Sequence, residues 1–411
     1  MSGMFRALRR IAIRILVAML GLQLATAVGL VLIDRRRKHR SGPATFPTSQ
    51  PADVEIVHNR ARVYTYGQDV YDDMIAAIDA ATDRICFETF IWKSDDTGQA
   101  VKDALIRAAD RGVTVRVVWD VFANLVVPRS FFDFPDNIIT KGHPLVMPGL
   151  MFWHPRNTGR NHRKILVIDG QVGFVGGYNI GSVYATDWRD THLRLTGPAA
   201  LDLENAFIDY WNMRPDRDGR LPEVSGRKWD SSLDVVRNVP PMRHHPIRGM
   251  YLEFMDRADE RILLTHAYFV PDEAMAQALI DAVARGVDVR VILPRRSNHI
   301  VADWVSRGYY RRLLRAGVRL FLYENAMVHS KTALVDEAWA TIGTANLDPL
   351  SLQGNFEINV SLIDPAMART MAEVFELDLS NCHELTLADW QRRPVTAKFS
   401  EAVLKPLAPF V

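Results

Sequence analysis

Apolar and polar positions alternate along the chain in a way that divides it, from residue 54 onward, into short strands and amphipathic helices. The pattern predicts, in order, a strand over 54–66, a helix over 68–81, a strand over 84–92, a helix over 97–111 and a strand over 113–119. Gly112 stands where the second helix should stop. The same order returns later in the chain, and buried strands alternating with helices predict an α/β fold of mixed β-sheets flanked by helices.

An apolar run near the N-terminus covers residues 15–33 without a charged side chain, and only Gln23 and Thr26 in it are polar. A helix of that length spans about 28 Å, close to the hydrocarbon thickness of a bilayer. A cleaved signal peptide and a core helix are the alternatives. The apolar sequence continues past the small residues at 25–27, and basic residues flank both ends. We predict an uncleaved transmembrane helix of about 15–33 that anchors the protein in the cell membrane. Four basic residues flank one end and five the other, which leaves the side of the body open and only slightly favours the cytoplasmic side.

Composition then separates five regions. A basic N-terminus over 1–40 is followed by a proline-containing linker over 41–53, a first half over 54–212, an irregular connection over 213–247 and a second half over 248–411. Residues 122–160 are also irregular and rich in proline and aromatic side chains. This segment is either a packed surface loop or one wall of a binding cavity.

The charge is unevenly distributed. Residues 1–40 contain nine Lys and Arg against one acidic residue, and the other 371 residues contain 41 basic and 47 acidic side chains. An acidic body attracts nucleic acid poorly at long range, so we expect no nucleic-acid partner. Cys86 and Cys382 are the only cysteines, too few for a disulfide framework or a zinc site. The sequence leaves the oligomeric state open.

One motif occurs twice with the same spacing, His-x-Lys, four residues, Asp, then Gly, Asn and an acidic residue 28 positions after the His. The first copy consists of His162, Lys164, Asp169, Gly176, Asn179 and Asp190, and the second of His329, Lys331, Asp336, Gly343, Asn346 and Glu357. Two such matches in one register indicate an internal duplication.

The spacing suits phosphodiester chemistry. Each Lys begins a short apolar run that predicts a buried strand, and residues two apart on a strand project to the same face. Two facing copies would surround one cavity with two imidazoles and two ammonium groups. The ammonium groups would neutralise phosphate oxygens, and the asparagine amides would donate hydrogen bonds to them. One imidazole could attack phosphorus while the other protonates the leaving alcohol.

The duplicated motif resembles that of the phospholipase D superfamily. The resemblance implies that His162 is the nucleophile and His329 the general acid, or the reverse. It implies phosphate binding by Lys164, Lys331, Asn179 and Asn346, orientation of the neighbouring histidine by Asp190 and Glu357, and a place among the catalytic residues for the motif acids Asp169 and Asp336, which in the family look more structural than chemical. No metal or other cofactor is implied.

Other segments are similar to bacterial cardiolipin synthases over about residues 54–393. These are 174–179, 188–190, 265–271 and 307–318. His266 and Ala267 depart from the family, which commonly has a proline before Tyr268. The resemblance implies a membrane-anchored phosphatidyltransferase of two similar halves that makes cardiolipin from phosphatidylglycerol and a second phospholipid through a phosphohistidine. A phospholipase D that hydrolyses phospholipids, a nuclease of the superfamily and a silent membrane scaffold are the alternatives.

Overall fold

Two eight-stranded mixed β-sheets form the body of the computed structural model, which describes residues 2–38, 44–145, 159–213, 219–224 and 232–410. The first sheet contains β1 (Ala52–Ile56), β2 (Asn59–Tyr64), β3 (Arg84–Thr89), β4 (Thr114–Asp120), β5 (Ile138–His143), β6 (Ile165–Ile168), β7 (Val172–Gly176) and β9 (His192–Thr196). The second contains β10 (Leu233–Asn238), β11 (Arg261–His266), β12 (Asp288–Pro294), β13 (Arg319–Tyr323), β15 (Lys331–Val335), β16 (Trp339–Gly343), β17 (Glu357–Ile363) and β18 (Cys382–Leu385). The short strands β8 (Trp188–Arg189) and β14 (Met327–Val328) pair with each other across the two halves.

Helices cover the sheets and fill the space between them. They are α1 (Ser2–Lys38), α2 (Gly67–Asp79), α3 (Asp96–Asp110), α4 (Ser182–Thr186), α5 (Ala199–Asn212), α6 (Pro246–Arg257), α7 (Glu273–Ala284), α8 (Ile300–Ala316), α9 (Pro365–Leu379), α10 (Leu387–Gln391) and α11 (Val395–Leu404). Short 3₁₀ turns lie at Arg129–Phe132, Pro240–Met242 and Lys405–Phe410, and a π-helical turn at Leu350–Gly354.

The two sheets share one central strand order. The first runs β1-β2-β9-β7-β6-β3-β4-β5 and the second β10-β17-β16-β15-β11-β12-β13-β18. In each, the motif strand (β6 or β15) lies antiparallel to both neighbours, and parallel pairing starts at β3 or β11. The repeated order agrees with the predicted mixed α/β fold and puts both motif strands at the centre of their sheets.

Three apolar layers hold this arrangement together. One cluster packs α2 and α3 against the outer face of the first sheet, and a second packs α6, α7 and α8 against the second sheet. The largest cluster lies between the sheets and includes Phe207 of α5 and Met371 of α9. Burial of this apolar surface drives the two halves together and brings their inner faces close.

Local sequence explains the helix ends that the two halves share. Asp95 and Asp272 each accept a hydrogen bond at 3.0 Å from a backbone N–H in the first turn of α3 and α7, as N-cap residues do. Gly112 and Gly286 follow the same helices with φ of 92° and 96°, a conformation that glycine adopts without strain. The predicted stop at Gly112 is therefore confirmed.

Two predicted elements need correction. The single strand expected over 54–66 is a hairpin, β1 and β2, because the chain reverses at Val57 with a φ of 48°. Arg62 and Asp53 then pair across the two strands, with 2.7 Å between Nε and Oδ1. The strand expected over 84–92 ends at Thr89, while both predicted helices and the strand over 113–119 fall within two residues of the observed bounds.

The predicted connection over 213–247 is not wholly irregular, because β10 lies inside it and pairs with β17. Residues 214–218 and 225–231 of that connection, and residues 146–158 of the irregular segment, lie outside the described residues. Residues 41–43 of the linker also lie outside them.

The N-terminal apolar helix contacts the body of the protein. Residues Arg9–Asp34 of α1 are long and apolar enough to cross a membrane. Gln23 donates a hydrogen bond of 3.2 Å to the Val403 carbonyl of α11, and Leu30 packs beside Val305 and Leu404. The predicted span over 15–33 thus lies within one continuous helix that fits a membrane anchor.

Candidate active site

Both motif histidines lie just ahead of the motif strands, where the two halves meet. The backbone N–H of His162 donates to the Phe356 carbonyl at 3.1 Å, and that of His329 donates to the Arg189 carbonyl at 2.6 Å. Each accepting carbonyl belongs to the opposite half and precedes that half's acidic residue. These cross-half contacts therefore bring each imidazole beside the acid of the other motif copy.

The acids pair with the imidazoles across the interface. Nδ1 of His162 lies 3.0 Å from Oε2 of Glu357, and Nδ1 of His329 lies 2.6 Å from Oδ2 of Asp190. All four side chains are buried. A carboxylate on Nδ1 fixes the tautomer and leaves Nε2 as the ring nitrogen for chemistry.

The two lysines are buried beside the histidines. Nζ of Lys164 donates to the His162 carbonyl at 2.7 Å, and Nζ of Lys331 lies 2.8 Å from Nδ1 of His329. Burial lowers the pKa of Lys164 to about 7 and that of Lys331 to about 8, although Glu357 and Asp190 raise both. Two cations in so little water favour an anion that would accept their hydrogen bonds.

The imidazoles are neutral near pH 7 for a related reason. Burial lowers the pKa of His162, and it lowers the pKa of His329 to about 3, with the Lys331 charge as the next cause. Burial alone would raise the pKa of Asp190, but the Lys331 charge and the hydrogen bond to His329 bring it below its usual value. An uncharged imidazole has the lone pair that a nucleophile needs.

The two asparagines are buried in the loops that follow β7 and β16. Oδ1 of Asn179 accepts a hydrogen bond from the Ile91 backbone at 3.2 Å, which orients its amide group. Oδ1 of Asn346 has no hydrogen-bond partner among the described residues.

The motif acids Asp169 and Asp336 lie away from the histidines, so grouping them with the catalytic residues is not supported by the geometry. Each lies in the turn after its motif strand, about 16 Å along the chain from the Lys. Asp169 accepts backbone hydrogen bonds of 2.8–2.9 Å from residues 82–84, and Asp336 accepts bonds of 2.9–3.1 Å from residues 259–261. Both fix the start of the neighbouring strand, a structural role.

Aromatic rings around the imidazoles were missed as site residues. The Phe90 ring meets the His162 ring edge-on at 4.6 Å, and Trp188 and Tyr268 lie 4.9 and 6.1 Å from the His329 ring. Trp188 and Tyr268 fall in segments that resemble cardiolipin synthases, which was the available signal. No sequence signal pointed to Phe90, because the equivalent residue in the second half is Ala267 and the aromatic side chain is therefore not repeated.

Two buried arginines flank the site. Arg163 pairs with Glu88 at 2.8 Å within the first half, and Arg189 pairs with Asp378 of the second half at 2.8 Å. Every nitrogen of each guanidinium makes a hydrogen bond, as buried charge requires. These pairs position the segments that contain the histidines.

An exposed apolar loop is tied to the segment that contains Phe90. Asn124 bonds to the Trp92 N–H and the Phe90 carbonyl, both at 2.8 Å, and so ties the loop to the first half of the site. Phe122, Leu125 and Val126 of that loop are exposed, Val126 by 82%. In the described residues, no group of three or more His, Cys, Asp or Glu side chains is placed to hold a metal ion. The expected independence from cofactors stays a prediction.

Comparison with known proteins places these features in a family. A family model described as "Cardiolipin synthase, PLD-like domain" matches residues 74–211 and 251–379. The major cardiolipin synthase ClsA of Bacillus subtilis is 32% identical over 367 residues, which cover 86% of this chain and 76% of that protein. A cardiolipin synthase of Staphylococcus aureus (strain Mu50) is 33% identical over 365 residues, covering 86% and 74%.

A solved structure shows the same fold. Phosphatidylserine synthase of Haemophilus influenzae matches with a TM-score of 0.68 at 16% sequence identity, over 88% of this chain and 95% of that one. At this identity the likeness concerns the fold alone.

Proposed function

Because this chain belongs to the cardiolipin synthase family of phospholipase D-like proteins, we propose that it joins two phosphatidylglycerol molecules into cardiolipin and glycerol through a phosphohistidine. It is a phospholipase D-type phosphatidyltransferase that acts on phospholipids. The lipid pair, the covalent intermediate and the residue roles are the proposal. The observation that carries it is the pair of imidazoles, each bonded to a carboxylate of the opposite half.

In the first step Nε2 of His162 attacks the phosphorus of one phosphatidylglycerol. A P–N bond forms, the P–O bond to glycerol breaks, and His329 gives its proton to the departing oxygen. Asp190 at 2.6 Å stabilises the protonated His329 better than Glu357 at 3.0 Å would stabilise a protonated His162, because Oε2 of Glu357 is shared with Thr344. This difference supports His329 as the acid and His162 as the nucleophile.

In the second step a hydroxyl of another phosphatidylglycerol attacks the same phosphorus. Its proton passes to His329, the P–N bond breaks, and cardiolipin leaves. The His329 imidazole must gain and lose a proton in each turnover although its pKa in the free protein is about 3. A bound phosphate would draw Lys331 away from Nδ1 and raise that pKa, since the Lys331 charge is one of its causes.

The phosphate oxygens would be bound by Lys164 and Lys331, with hydrogen bonds from the amides of Asn179 and Asn346. A phosphate anion between the ammonium groups raises their pKa and restores full positive charge. That charge then stabilises the negative charge that builds up on phosphorus in each transition state.

Lipid supply and exclusion of water belong to the same proposal. α1 anchors the chain in the membrane, and the exposed loop with Phe122, Leu125 and Val126 gives an apolar rim on the segment that Asn124 ties to Phe90. Such a rim favours a lipid hydroxyl over water as the second attacker. The cytoplasmic placement of the body stays a prediction.

The test supplies the purified full chain with phosphatidylglycerol alone and identifies the products. We expect glycerol and cardiolipin, with phosphatidic acid as a minor product, and the same yield in excess EDTA. Phosphatidic acid as the main product would indicate a hydrolase instead. Cleavage of oligonucleotides without action on lipid would contradict both, and loss in EDTA restored by a divalent metal would contradict the cofactor prediction.

A further inference from the structure

A second polar cavity lies apart from the histidines, where α8, α10 and α11 meet the C-terminal turn Lys405–Phe410. Its volume is about 350 Å³, within the range of small-ligand sites. Its charged lining consists of Arg307, Arg311, Arg393, Lys398, Lys405 and Glu401. None of these residues has a part in the proposed reaction.

The cavity has an excess of positive charge. Five basic side chains face a single carboxylate, and that carboxylate, Glu401, is buried and already paired with Arg393. Burial lowers the pKa of Arg393, and the neighbouring Arg307 and Arg311 charges lower it further against the effect of Glu401. A cation crowded by other cations in this way is relieved by a bound anion.

Three of the other four cations are available to a ligand, whereas Lys398 already donates to the Gln391 carbonyl at 2.9 Å. Arg311 and Lys405 are exposed and make no ion pair with the residues that the structure describes. The Arg307 guanidinium stacks over the Trp304 ring at 4.3 Å, which leaves its edge N–H groups free to donate. Arginine forks and lysine ammonium groups are the side chains that bind phosphate oxygens best.

Exposed apolar side chains lie on α11, which lines this basic cavity, and on the neighbouring α1. α11, which contributes Lys398 and Glu401, packs against α1 through Val403 and Leu404. Val395 and Phe399, four residues apart on one face of α11, are 79% and 54% exposed. Leu24 and Val28 of α1 are exposed as well. A ligand with a phosphate and long apolar chains matches both parts of this surface, and a free phosphate matches only one.

We propose that the cavity binds the phosphate headgroup of an anionic phospholipid, whose chains lie against α1 and the exposed face of α11. The site is separate from the catalytic centre and rests only on the membrane anchoring in the proposed function. Such a lipid fixes the C-terminal helices to the bilayer surface beside the anchor, which sets the orientation of the body above its substrate.

The probe is dioctanoyl phosphatidic acid, added to the full chain in neutral detergent micelles, with bound lipid counted by native mass spectrometry. The test variant combines Arg311→Gln with Lys405→Gln. The matched control combines Arg315→Gln with Arg369→Gln, two exposed arginines outside the cavity with the same loss of charge. Dioctanoyl phosphatidylcholine serves as the lipid without net charge.

We expect the wild type and the control to bind one more phosphatidic acid than the test variant, with that affinity about thirtyfold weaker in the variant. Equal stoichiometry and affinity in all three proteins would overturn the site. Displacement of the lipid by an equal concentration of inorganic phosphate would assign the cavity to free phosphate and overturn the lipid proposal.

Cardiolipin formation from phosphatidylglycerol, measured on the same micelles, separates this inference from the proposed function. We expect the test variant to keep its turnover in micelles while it loses the second lipid. A second outcome is that the wild type makes no cardiolipin while the test variant still binds one lipid fewer than the wild type. That result would contradict the proposed function and support the lipid site in the cavity. A variant that loses turnover and keeps the lipid would contradict the cavity.

Discussion

The two halves present their histidines in matching places, but they hold the opposing acids in different ways. On one side Asp190, a short acid, reaches His329 at 2.6 Å because Gly177 leaves it room, and a Cβ at that glycine would lie 1.9 Å from the carboxylate. On the other side Glu357, one methylene longer, reaches His162 at 3.0 Å and accepts a second bond at 2.5 Å from Thr344. Thr344 and Gly177 occupy equivalent positions in the duplication.

The two halves also differ in where the buried arginine beside each histidine comes from. Arg163 stands between His162 and Lys164 and pairs within its own half, whereas the equivalent residue of the second half is Ser330. There the guanidinium comes from Arg189 of the first half, which donates to Ser330 and Asp378. The duplication has kept the backbone and the charge balance while the side chains diverged. Two copies of one motif can therefore perform two different steps.

The largest effect should come from the histidines themselves. His162→Ala and His329→Ala should each lower turnover at least a hundredfold, because a nucleophile and a general acid each contribute about that much or more. His383→Ala, which removes an exposed imidazole on β18, is the matched control and should leave turnover unchanged. A variant of either motif histidine that keeps more than about a hundredth of the wild-type rate would refute the role given to that residue.

A second comparison targets the acids through the residues that position them. Gly177→Ala should lower turnover by about a hundredfold, because the new Cβ displaces Asp190 from His329 and the imidazole loses its orientation. Thr344→Val removes one hydrogen bond from Glu357 and should cost only about fivefold. Equal losses, measured as kcat on phosphatidylglycerol, would mean that the two sides hold their acids equally.

The pH dependence should separate binding from stability. The Lys164 and Lys331 pKa values of about 7 and 8 belong to the free protein, so kcat/KM should fall by up to about tenfold per pH unit between pH 7 and 8 and by up to about a hundredfold per unit above pH 8, as first one and then both ammonium groups lose their protons. The fall in kcat should begin at a higher pH than the fall in kcat/KM, because bound phosphate raises the pKa values of both lysines. A flat kcat/KM up to pH 9 would contradict the lysine roles.

The same two lysines should make the folded protein more stable as the pH rises, whereas they make kcat/KM fall. Their pKa values in the folded state are lower than the ordinary value of 10.5, so between about pH 7 and 10.5 the unfolded chain binds more protons. Their contribution to the free energy of unfolding should therefore rise with pH across that window. Denaturant titrations of the wild type and a Lys164→Met variant would measure it.

The smallest effect on catalysis should come from the motif acids. Asp169→Ala and Asp336→Ala should each lower the free energy of unfolding by about 1–3 kcal/mol, because backbone N–H groups lose their acceptor, and they should do so alike in both halves. Turnover per folded molecule should stay near that of the wild type. Asp136→Ala on an exposed loop is the control, and a large loss of turnover in stable protein would return these acids to the catalytic group.

The sequence was most informative where spacing was repeated. The motif register located the histidines and lysines, and the apolar pattern located both predicted helices and the strand over 113–119 within two residues. The pattern alone could not show the reversal at Val57, because a polar pair inside an apolar strand and a tight turn look alike. It also could not show that Glu357 serves His162 and Asp190 serves His329, since the 28-residue spacing is the same in either arrangement.

Site residues that occur in only one copy of the duplication could not be predicted from the sequence. Phe90 and the Arg189–Asp378 pair have no equivalent in the other copy, so no repetition drew attention to them. Their roles depend on which surfaces of the two halves meet, and that is decided by packing between the sheets.

The position of the covalent intermediate tests the central claim most directly. Phosphatidylglycerol labelled at phosphorus would be mixed with the full chain, quenched in mildly basic denaturing detergent, where both the P–N bond of phosphohistidine and the acyl esters persist, and mapped by peptide mass spectrometry. We predict a phosphatidyl group on His162 in the wild type, and the same adduct, formed more slowly, in His329→Ala. An adduct on His329, or turnover to cardiolipin with no adduct on either histidine, would contradict the account.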